Sequence, residues 1–404
     1  MTKISKRRLI NTLSIICHLS ISAVLLTACS MMQEDRSDCP DCRNSLHITL
    51  RYDYNIQRAN MFSDHVEEAT GYVVDEATGT VVDTQTAQNS AQSQPLRNPS
   101  FGFNFEGLAP GKYRLYATGR SKADASFGVT APALAESIDK LQFSLPVAGT
   151  AVTAQRLDTL WNTLMPVDVT VPESVPVEAT VGLMRLTNDL NVIIFRSDNP
   201  TDNSHERYDV SVTDNSPVLG YDNAPTDESP VVYRPFAAWT TETIVDGEAA
   251  SLPLSAGRDG THNPAASRPL SAAASPPLSA AGGLPAGITR GAADGTIAER
   301  NAHYDLSLAR LISHDDARQN PRLIIRSRET GRDIVNIDLV YYLALARNAY
   351  EYENYSTQEY LDREYDYRLD FGFERKDDGH DTWKYMTIHI NVLSWALRIQ
   401  NEDL

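Results

Sequence analysis

The sequence lacks the short motifs that identify common enzyme classes. It contains no H-E-x-x-H zinc motif, no G-x-S-x-G nucleophile turn, no G-x-x-x-x-G-K-[ST] phosphate loop and no G-x-G-x-x-G before a helix. Its nine histidines are scattered, and His47 and His389 each alternate with apolar residues, which predicts outward-facing positions on strands. These absences predict a protein that is not an enzyme and that has no cofactor or metal ion.

Cysteine is also rare: the chain has four, and three of them lie in "LLTACSMMQEDRSDCPDC", residues 25–42. Before this stretch, a basic start and the apolar segment 9–26 have the build of a secretory signal. The end of the segment, "LTAC", resembles the bacterial lipobox, whose cysteine receives a diacylglycerol before cleavage and usually a third acyl chain, such as palmitate, afterwards. We therefore predict a signal peptide over 1–28 and a mature chain that begins at lipidated Cys29.

An uncleaved transmembrane anchor is the alternative for the first residues. A comfortable span needs ~20 predominantly apolar residues, whereas Asn11, Ser14, His18 and Ser20 interrupt this stretch. The cleaved lipoprotein signal is therefore favoured. Because two or three acyl chains hold a protein firmly to a bilayer, the mature chain should remain on a membrane.

Cys39 and Cys42 form a C-x-x-C motif. A reactive thiolate needs basic neighbours or a helix N-terminus, whereas acidic residues surround this pair. No second Cys or His pair stands at the spacing of zinc ligands. A local disulfide, or two inert thiols, are therefore favoured over redox chemistry and over a zinc site.

The chain has little positive charge. Loss of residues 1–28 would leave 32 basic and 53 acidic residues, a net charge of −21. Nucleic acid and anionic lipid headgroups are therefore disfavoured as partners. Attachment to a membrane must then be covalent rather than electrostatic.

Convincing helical periodicity is almost absent, and strand patterns take its place. In "LHITLRYDY" every second residue from Leu46 to Tyr54 is apolar, which predicts a strand with one buried side. The same alternation recurs around the turn in "YVVDEATGTVVD", at 101–105 and in "REYDYRLDFGFE". Only 132–141 and 152–164 could carry short helices. Short strands separated by turn signals predict an all-β fold built from β-sandwiches.

Composition predicts the domain organisation. Residues 29–44 form a solvated tether, 45–178 an N-terminal β-sandwich, and 179–404 a C-terminal β-sandwich. The second region is interrupted at 251–290, where 26 of 40 residues are Ala, Ser, Pro or Gly and none is aromatic. Such a stretch cannot bury enough apolar surface to order itself, so we predict a disordered insertion between two strands.

Two groups of carboxylates were candidates for chemistry. A solvated strand face is the favoured interpretation of the densest group, which is Asp362, Glu364, Asp366 and Asp370. A calcium loop and a polar surface loop are the alternatives for the second group, and its spacing matches no EF-hand. The second group is Asp214, Asp222, Asp227 and Glu228.

The motifs, in their order along the chain, resemble the Bacteroidales fimbrial anchor and assembly lipoproteins, associated with minor fimbrium anchoring subunits. The resemblance covers nearly the whole mature chain. It rests on the lipobox, on Cys39-Pro40, and then on "LHITLRYDYN", "GLAPGKYRLYATG", "MRLTNDLNVIIF", "VVYRPF", "LIIRSRETGRDIVNIDL", "YLDREYDYRLDFGFE" and "IHINVLSWALRIQNEDL".

The resemblance implies two tandem transthyretin-like sandwiches that are lipid-anchored in the outer membrane and exposed at the cell surface. It also implies a role in anchoring or assembling a fimbria for cell adhesion, with fimbrial structural and accessory subunits as partners. A surface glycan-binding lipoprotein is the alternative function. That function would require an aromatic platform, for which the candidates are Trp161, Trp239, Tyr341 and Tyr342. The same four residues fit a hydrophobic core equally well.

Fimbrial subunits of this kind join by strand exchange, in which an extended segment completes a neighbour's sheet. The segment 387–399 alternates and only a short polar tail follows it, so its two candidate roles are a fixed edge strand of the second sandwich and a strand donated to a neighbour. Its phase changes from even to odd positions, which predicts one long strand with a bulge near Leu393 and Ser394. The candidate exchange residues are Ile388, Ile390, Val392, Trp395 and Leu397.

Overall fold

The computed structural model describes residues 44–121, 127–145, 151–173, 175–245, 296–349, 352–390 and 395–400. Strands dominate this part of the chain, as the alternating sequence predicts. In chain order they are β1 (Ser45–Arg51), β2 (Glu68–Asp75), β3 (Val81–Gln88), β4 (Gly102–Glu106), β5 (Gly111–Arg120), β6 (Gly128–Thr130), β7 (Gln142–Ser144), β8 (Ala151–Thr153), β9 (Leu160–Thr163), β10 (Val167–Val171), β11 (Val177–Arg185), β12 (Thr187–Arg196), β13 (Tyr208–Asp214), β14 (Val218–Gly220), β15 (Pro225–Asp227), β16 (Val231–Tyr233), β17 (Ala237–Val245), β18 (Thr296–Ala309), β19 (Arg322–Ser327), β20 (Asp333–Asp338), β21 (Asp366–Arg375), β22 (Asp381–Ile390) and β23 (Trp395–Gln400).

Helices are short. The α-helices are α1 (Phe62–His65), α2 (Leu339–Leu345) and α3 (Thr357–Arg363). The 3-10 turns are Pro95–Arg97, Ile138–Lys140, His205–Arg207, Ala317–Gln319 and Ala346–Ala349. Within the described ranges, none of the helices has the length and apolarity that a membrane crossing requires.

Alternation along β1 shows why the first strands form. Leu46, Ile48 and Leu50 are buried, whereas the residues between them are partly exposed. The β2–β3 connection turns at Gly79, whose φ of 70° lies in the left-handed region that glycine adopts without strain. The predicted strand and turn at these positions are confirmed.

The first sandwich is built from one continuous path of strands. Its order is β3-β2-β5-β9-β11-β1-β4, and β10 also pairs with β5. The first half of β11 lies parallel to β1, while its second half pairs with β9, so this strand joins the two layers. Ile48, Leu115 and Val181 meet in the core between the layers. The predicted division between residues 178 and 179 therefore falls inside β11, a strand of the first sandwich.

The second sandwich packs a six-stranded sheet, β17-β18-β12-β21-β22-β23, on a five-stranded sheet, β20-β19-β13-β16-β8. Val192, Leu306 and Leu369 contribute to its core from the six-stranded sheet, and Val210 and Leu323 contribute from the other. β12 and β21 lie parallel at the centre, and all four remaining contacts in the larger sheet are antiparallel. The prediction of an all-β fold with two sandwiches is confirmed.

A small sheet connects the two sandwiches. Its order is β15-β14-β7-β6, so it combines strands that precede and follow β11. Phe143 of β7 and Leu219 of β14 are in register, and both are buried. One apolar cluster extends from Tyr116 of β5 to Leu190 of β12. The sandwiches therefore share apolar packing and are not joined by a linker alone.

Two details of the sequence interpretation are corrected by the fold. A short helix is present inside 132–141, as the turn Ile138–Lys140, but 152–164 contains β8 and β9 instead of a helix. All four residues of β9 are buried between β5 and β11. A central strand is usually apolar throughout, but two of the four residues of β9, Asn162 and Thr163, are polar, so the sequence does not show the expected apolar run.

The acidic group near α3 is the second correction. Asp362 and Glu364 are only 9% and 4% exposed, so a solvated face is wrong for these two residues. Asp362 lies in α3 and Glu364 follows it, outside the alternation of β21. Asp366 and Asp370 lie on β21, opposite its buried Tyr367 side, as predicted.

Candidate functional site

The C-terminal strands form a hairpin. β22 and β23 are antiparallel, and their paired residues include Ile388 with Leu397 and Ile390 with Trp395. The prediction of one strand with a bulge near Leu393 and Ser394 is therefore wrong. The phase changes because the chain reverses: paired residues of neighbouring strands share a face, so even positions of β22 align with odd positions of β23.

This reversal separates the five candidate exchange residues. Ile388 is 1% exposed and lies in β22, which has β21 on one side and β23 on the other. Ile390 belongs to the same internal strand, and Val392 lies outside the described residues. Trp395 and Leu397 lie on β23, which pairs with β22 alone in the part of the chain that the structure describes. The open edge is therefore the far side of β23.

Charged side chains lie along the sheet edge next to β23. β20 is the edge of the five-stranded sheet on the same flank, where it contacts β22. Arg326 Nε donates to Asp333 Oδ1 at 2.6 Å, and Arg322 Nε donates to Asn336 Oδ1 at 2.7 Å. Charged side chains along an edge discourage pairing with another chain. The sequence of β23, "WALRIQ", contains a single charged residue.

The edges of the first sandwich are partly occupied. Val81 of β3 exchanges backbone hydrogen bonds with the segment 135–136, both at 2.8 Å. Gln85 Nε2 of β3 donates to the carbonyl oxygen of Asn104 on β4 at 2.8 Å. These contacts leave the six-stranded sheet, with β17 and β23 at its two ends, as the better candidate for strand addition.

The region around α3 fastens the second sandwich to the first. The Arg363 guanidinium lies 4.0 Å from the ring centroid of Tyr54 and 4.7 Å from that of Tyr355. The Arg363 carbonyl accepts the N–H of Ile56 at 3.0 Å. Tyr54 and Ile56 follow β1, the first described strand, so the contact ties β1 to α3.

A second arginine extends this junction. Arg310 Nε and Nη2 donate to the two oxygens of Asp362 at 2.7 and 2.8 Å. Arg310 Nη1 donates to the Asn223 carbonyl at 2.6 Å, and Asn223 Nδ2 donates to the Thr163 carbonyl of β9 at 2.8 Å. Both side chains of the ion pair are largely buried. Polar and aromatic contacts therefore fix the orientation of the two sandwiches.

One carboxyl at this junction is strongly perturbed. Burial raises the pKa of Glu364 to about 7. Its Oε1 accepts the N–H groups of Tyr365 and Asp366, at 3.0 and 3.2 Å, while Oε2 has no hydrogen-bond partner. It lies between the end of α3 and the start of β21, and its hydrogen bonds are to the backbone of the next two residues, which indicates a structural role.

The proposed calcium loop does not converge on one point. Asp214 is buried, and burial raises its pKa to about 6. Asp222 and Asp227 are exposed, and each accepts hydrogen bonds within its own turn, from Ala224 and Ser229. No cluster of three or more metal-ligating side chains occurs in the described ranges.

The four aromatic candidates have different surroundings. Trp161 is 2% exposed and packs edge-on against Tyr52 in the first core, so it cannot serve as a platform. Trp239 is 38% exposed and stacks on His303, with 5.1 Å between the ring centroids. Tyr341 is 57% exposed on α2, and Tyr342 packs edge-on against it and partly into the core.

The lipidation site and the C-x-x-C pair cannot be placed. Cys29, Cys39 and Cys42 lie outside the described residues, as does the low-complexity segment 251–290. The acylation of Cys29 and the oxidation state of the pair therefore stay predictions.

Most of the chain matches one protein family. The model for the fimbrillin-A associated anchor proteins Mfa1 and Mfa2 matches residues 36–401. No curated protein matches the sequence.

Several solved structures have a similar fold. A candidate adhesin from Bacteroides thetaiotaomicron is 22% identical, with a TM-score of 0.63, and the alignment covers 89% of this chain and 99% of that one. A candidate polysaccharide-binding protein from the same organism is 20% identical, with a TM-score of 0.61 and the same coverage. The fimbrial anchor protein Mfa2 from Porphyromonas gingivalis is 12% identical, with a TM-score of 0.55 over 88% of this chain and 99% of that one. At these identities the likeness shows the fold alone.

Proposed function

The chain belongs to the family of fimbrillin-A associated anchor proteins, and from this premise we propose that it is a lipid-anchored outer-membrane subunit that holds a fimbria through the edge of β23. The family is structural rather than catalytic, and its role indicates a location in the cell envelope. The proposal adds three elements to this family role: the lipid on Cys29, attachment to the outer membrane, and the joint, by which we mean the contact between β23 and a fimbrial subunit.

The lipid anchor rests on the "LTAC" site behind a basic and apolar leader. Acylated Cys29 would begin the mature chain, and residues 30–44 would then tether β1 to the bilayer. The net charge supports a covalent anchor, because an acidic protein gains nothing from anionic headgroups. The acidic residues Glu34 and Asp35, soon after Cys29, resemble the surface-export signals of Bacteroidales lipoproteins.

Replacement of the lipidated residue tests this part. Cys29→Ala should release the protein from the membrane or leave it as an uncleaved precursor, and intact-mass analysis of the wild type should show acyl chains on Cys29. Cys39→Ala is the matched control and should remain acylated and membrane-bound. An unmodified Cys29, or full membrane retention of the Cys29→Ala variant, would contradict the anchor. Protease shaving of whole cells separates surface from periplasmic exposure.

The joint rests on a single observation, the side of β23 that pairs with no other strand among the described residues. An added strand there would pair with exposed backbone groups and extend the six-stranded sheet, which is the physics of β-augmentation. The neighbouring β20 edge is charged and the first-sandwich edges are partly occupied, so β23 offers the better template. The junction at α3 would carry force from the fibre to β1 and its tether.

A photoreactive residue on β23 tests the joint. It is placed at position 398, and the comparison position is Glu242 on β17, the opposite edge of the same sheet, where the replacement removes one exposed ion pair with Arg300. In intact cells, the label at position 398 should cross-link to a fimbrial subunit identified by mass spectrometry. Cross-linking from position 242 instead would move the joint to the other edge, and no cross-link from either position would refute strand addition to this sheet.

A further inference from the structure

The outer face of the six-stranded sheet has an unusual arrangement of side chains. A row runs across five strands in register, through Trp239, His303, Ile193, Asp370 and Thr387. All five side chains lie on the side opposite the core, because strand residues two apart share a face and Val192 and Ile194 face inward. We define this row and its neighbours as the outer face.

Aromatic side chains lie at both ends of the outer face. Trp239 stacks on His303 with an interplanar angle of 7°, and its ring remains 38% exposed. Phe195 and Tyr385 pack with 5.3 Å between centroids, and the Tyr385 ring lies directly over Gly372, where a Cβ would come within 2.5 Å of it. Trp239 and Tyr385 are four strands apart, about 19 Å at the usual strand spacing.

Hydrogen-bonding groups lie between the aromatic groups. Arg368 Nε and Nη2 donate to the two oxygens of Asp370 at 2.9 and 3.0 Å. His389 Nε2 lies 2.7 Å from Asp370 Oδ2, and Asn191 Nδ2 donates to Asp305 Oδ1 at 2.6 Å. Each carboxylate can accept further hydrogen bonds beyond these. The outer face therefore offers fixed donors and acceptors beside the exposed ring of Trp239 and the partly exposed rings of Phe195 and Tyr385.

A cavity of about 240 Å³ opens on the same face. Its lining includes Asn191, Asp305, Asp366, Phe236 and Arg156, and the Arg156 guanidinium lies 5.8 Å from the centre of the Phe236 ring. Asn191 lies two residues from Ile193 on β12, so the cavity and the aromatic row are adjacent. A concave site with aromatic side chains and a few convergent polar groups is the usual form of a ligand site.

We propose that the outer face binds a neutral polysaccharide, with one sugar in the cavity and the chain crossing Trp239. Sugar rings present apolar C–H faces that lie against aromatic rings, and their neighbouring hydroxyls are both donors and acceptors, which planar Asp, Asn and Arg groups match. The distance across the face requires a chain of several sugars.

The charges on the face indicate that the glycan is uncharged. Burial, more than the nearby Arg368, lowers the pKa of His303, so this ring is neutral at neutral pH. Four carboxylates then outnumber three guanidinium groups on and beside the cavity, and polyanions such as sulfated glycans would be repelled. The carboxylates are Asp189, Asp305, Asp366 and Asp370, and the guanidinium groups are Arg156, Arg185 and Arg368.

Affinity electrophoresis of the full mature chain, in a detergent without a sugar headgroup, tests the proposal. Native gels contain starch, laminarin, yeast mannan or galactomannan, with heparin as the polyanion. We expect retardation in at least one neutral gel and none in heparin. Trp239→Ala should weaken the apparent affinity at least about tenfold, and Trp239→Phe should restore part of it. Tyr341→Ala, which removes an exposed aromatic ring on α2, should change nothing.

Three results would overturn the proposal. They are an absence of retardation in all four neutral gels, equal retardation of the wild type and Trp239→Ala, and stronger binding to heparin than to any neutral glycan. Circular dichroism of each variant shows that a loss of binding is not a loss of folding. The glycan site and the β23 joint lie on different parts of the sheet, so either can fail while the other stands.

Discussion

Arg310 and Asp362 form the buried ion pair on which the junction between the sandwiches depends. Their side chains are 14% and 8% exposed, and two hydrogen bonds of 2.7 and 2.8 Å join them. Arg310→Met keeps much of the side-chain volume but leaves the buried Asp362 carboxylate without a positive partner, with the Gln358 Nε2 donor at 2.9 Å as its remaining hydrogen bond. Loss of one member of a buried pair costs about 3–5 kcal/mol, because the remaining charge is uncompensated.

The magnitude of this change can be measured by thermal unfolding of the mature chain, followed by circular dichroism. If the second sandwich unfolds as one unit, 3–5 kcal/mol corresponds to a fall in Tm of about 6–20 °C. The matched control is Arg318→Ala, which breaks an exposed pair whose side chains are 89% and 42% accessible. Exposed pairs contribute about 0–1 kcal/mol, so this variant should melt close to the wild type.

A double substitution separates the pair from general packing. In Arg310→Met with Asp362→Leu both charges are gone, and apolar replacements of buried pairs are often neutral or stabilising. The double variant should therefore recover most of the stability that Arg310→Met loses. The reasoning fails if Arg310→Met melts with the Arg318 control, or if the double variant is no more stable than the single one.

Two further changes test the interior and the insertion. Because burial raises the pKa of Glu364 from 4.5 to about 7, the folded state binds its proton more tightly than the unfolded state, so this residue's contribution to stability falls as the pH rises from about 4.5 to 7. Urea unfolding at pH 5 and pH 8 measures this fall in the free energy of unfolding. Glu364→Gln should reduce the difference between the two pH values, by about 3 kcal/mol at most. An unchanged difference would contradict a carboxyl that is buried and unpaired. Deletion of 251–290 should leave folding intact and stabilise the chain by about 1.4 kcal/mol through a shorter loop, because Val245 and Thr296 already pair at the end of the β17–β18 hairpin. Loss of soluble protein after the deletion would show that the segment packs.

The sequence predicts those strands whose burial is one-sided. β1 and β21 follow the expected alternation because one face of each lies on a core and the other meets solvent. The sequence pattern does not predict β9 for two reasons. A central strand is buried on both faces and need not alternate, and the polar Asn162 is tolerated in the interior because it forms hydrogen bonds with Tyr221 and Asn223. These partners lie 59 and 61 residues away in the sequence, where local periodicity carries no information.

The alternation of apolar residues also does not show where the chain reverses direction. A reversal and a one-residue bulge both move apolar residues from even to odd positions, so the pattern from Ile388 to Ile399 fits either one. A turn requires several residues between the strands, and 391–394 separate β22 from β23. In the sequence the alternation is interrupted only at the two residues between Val392 and Trp395, so the pattern alone does not distinguish a bulge from a turn, and the separation of β22 from β23 comes from the structure.

The sequence of β12 also contains a pattern that indicates the outer face. "NVIIF" in β12 is apolar at four consecutive positions, 192–195, whereas a strand with one solvated face should alternate. Val192 and Ile194 face the core, so Ile193 and Phe195 must find cover on the other side. Ile193 is 8% exposed although no second sheet packs there among the described residues, because outward side chains of the neighbouring strands surround it. An apolar run on a sheet with one open face therefore indicates that the open face is itself a contact surface, and the exposed ring of Trp239 at its end is where a partner would first touch it.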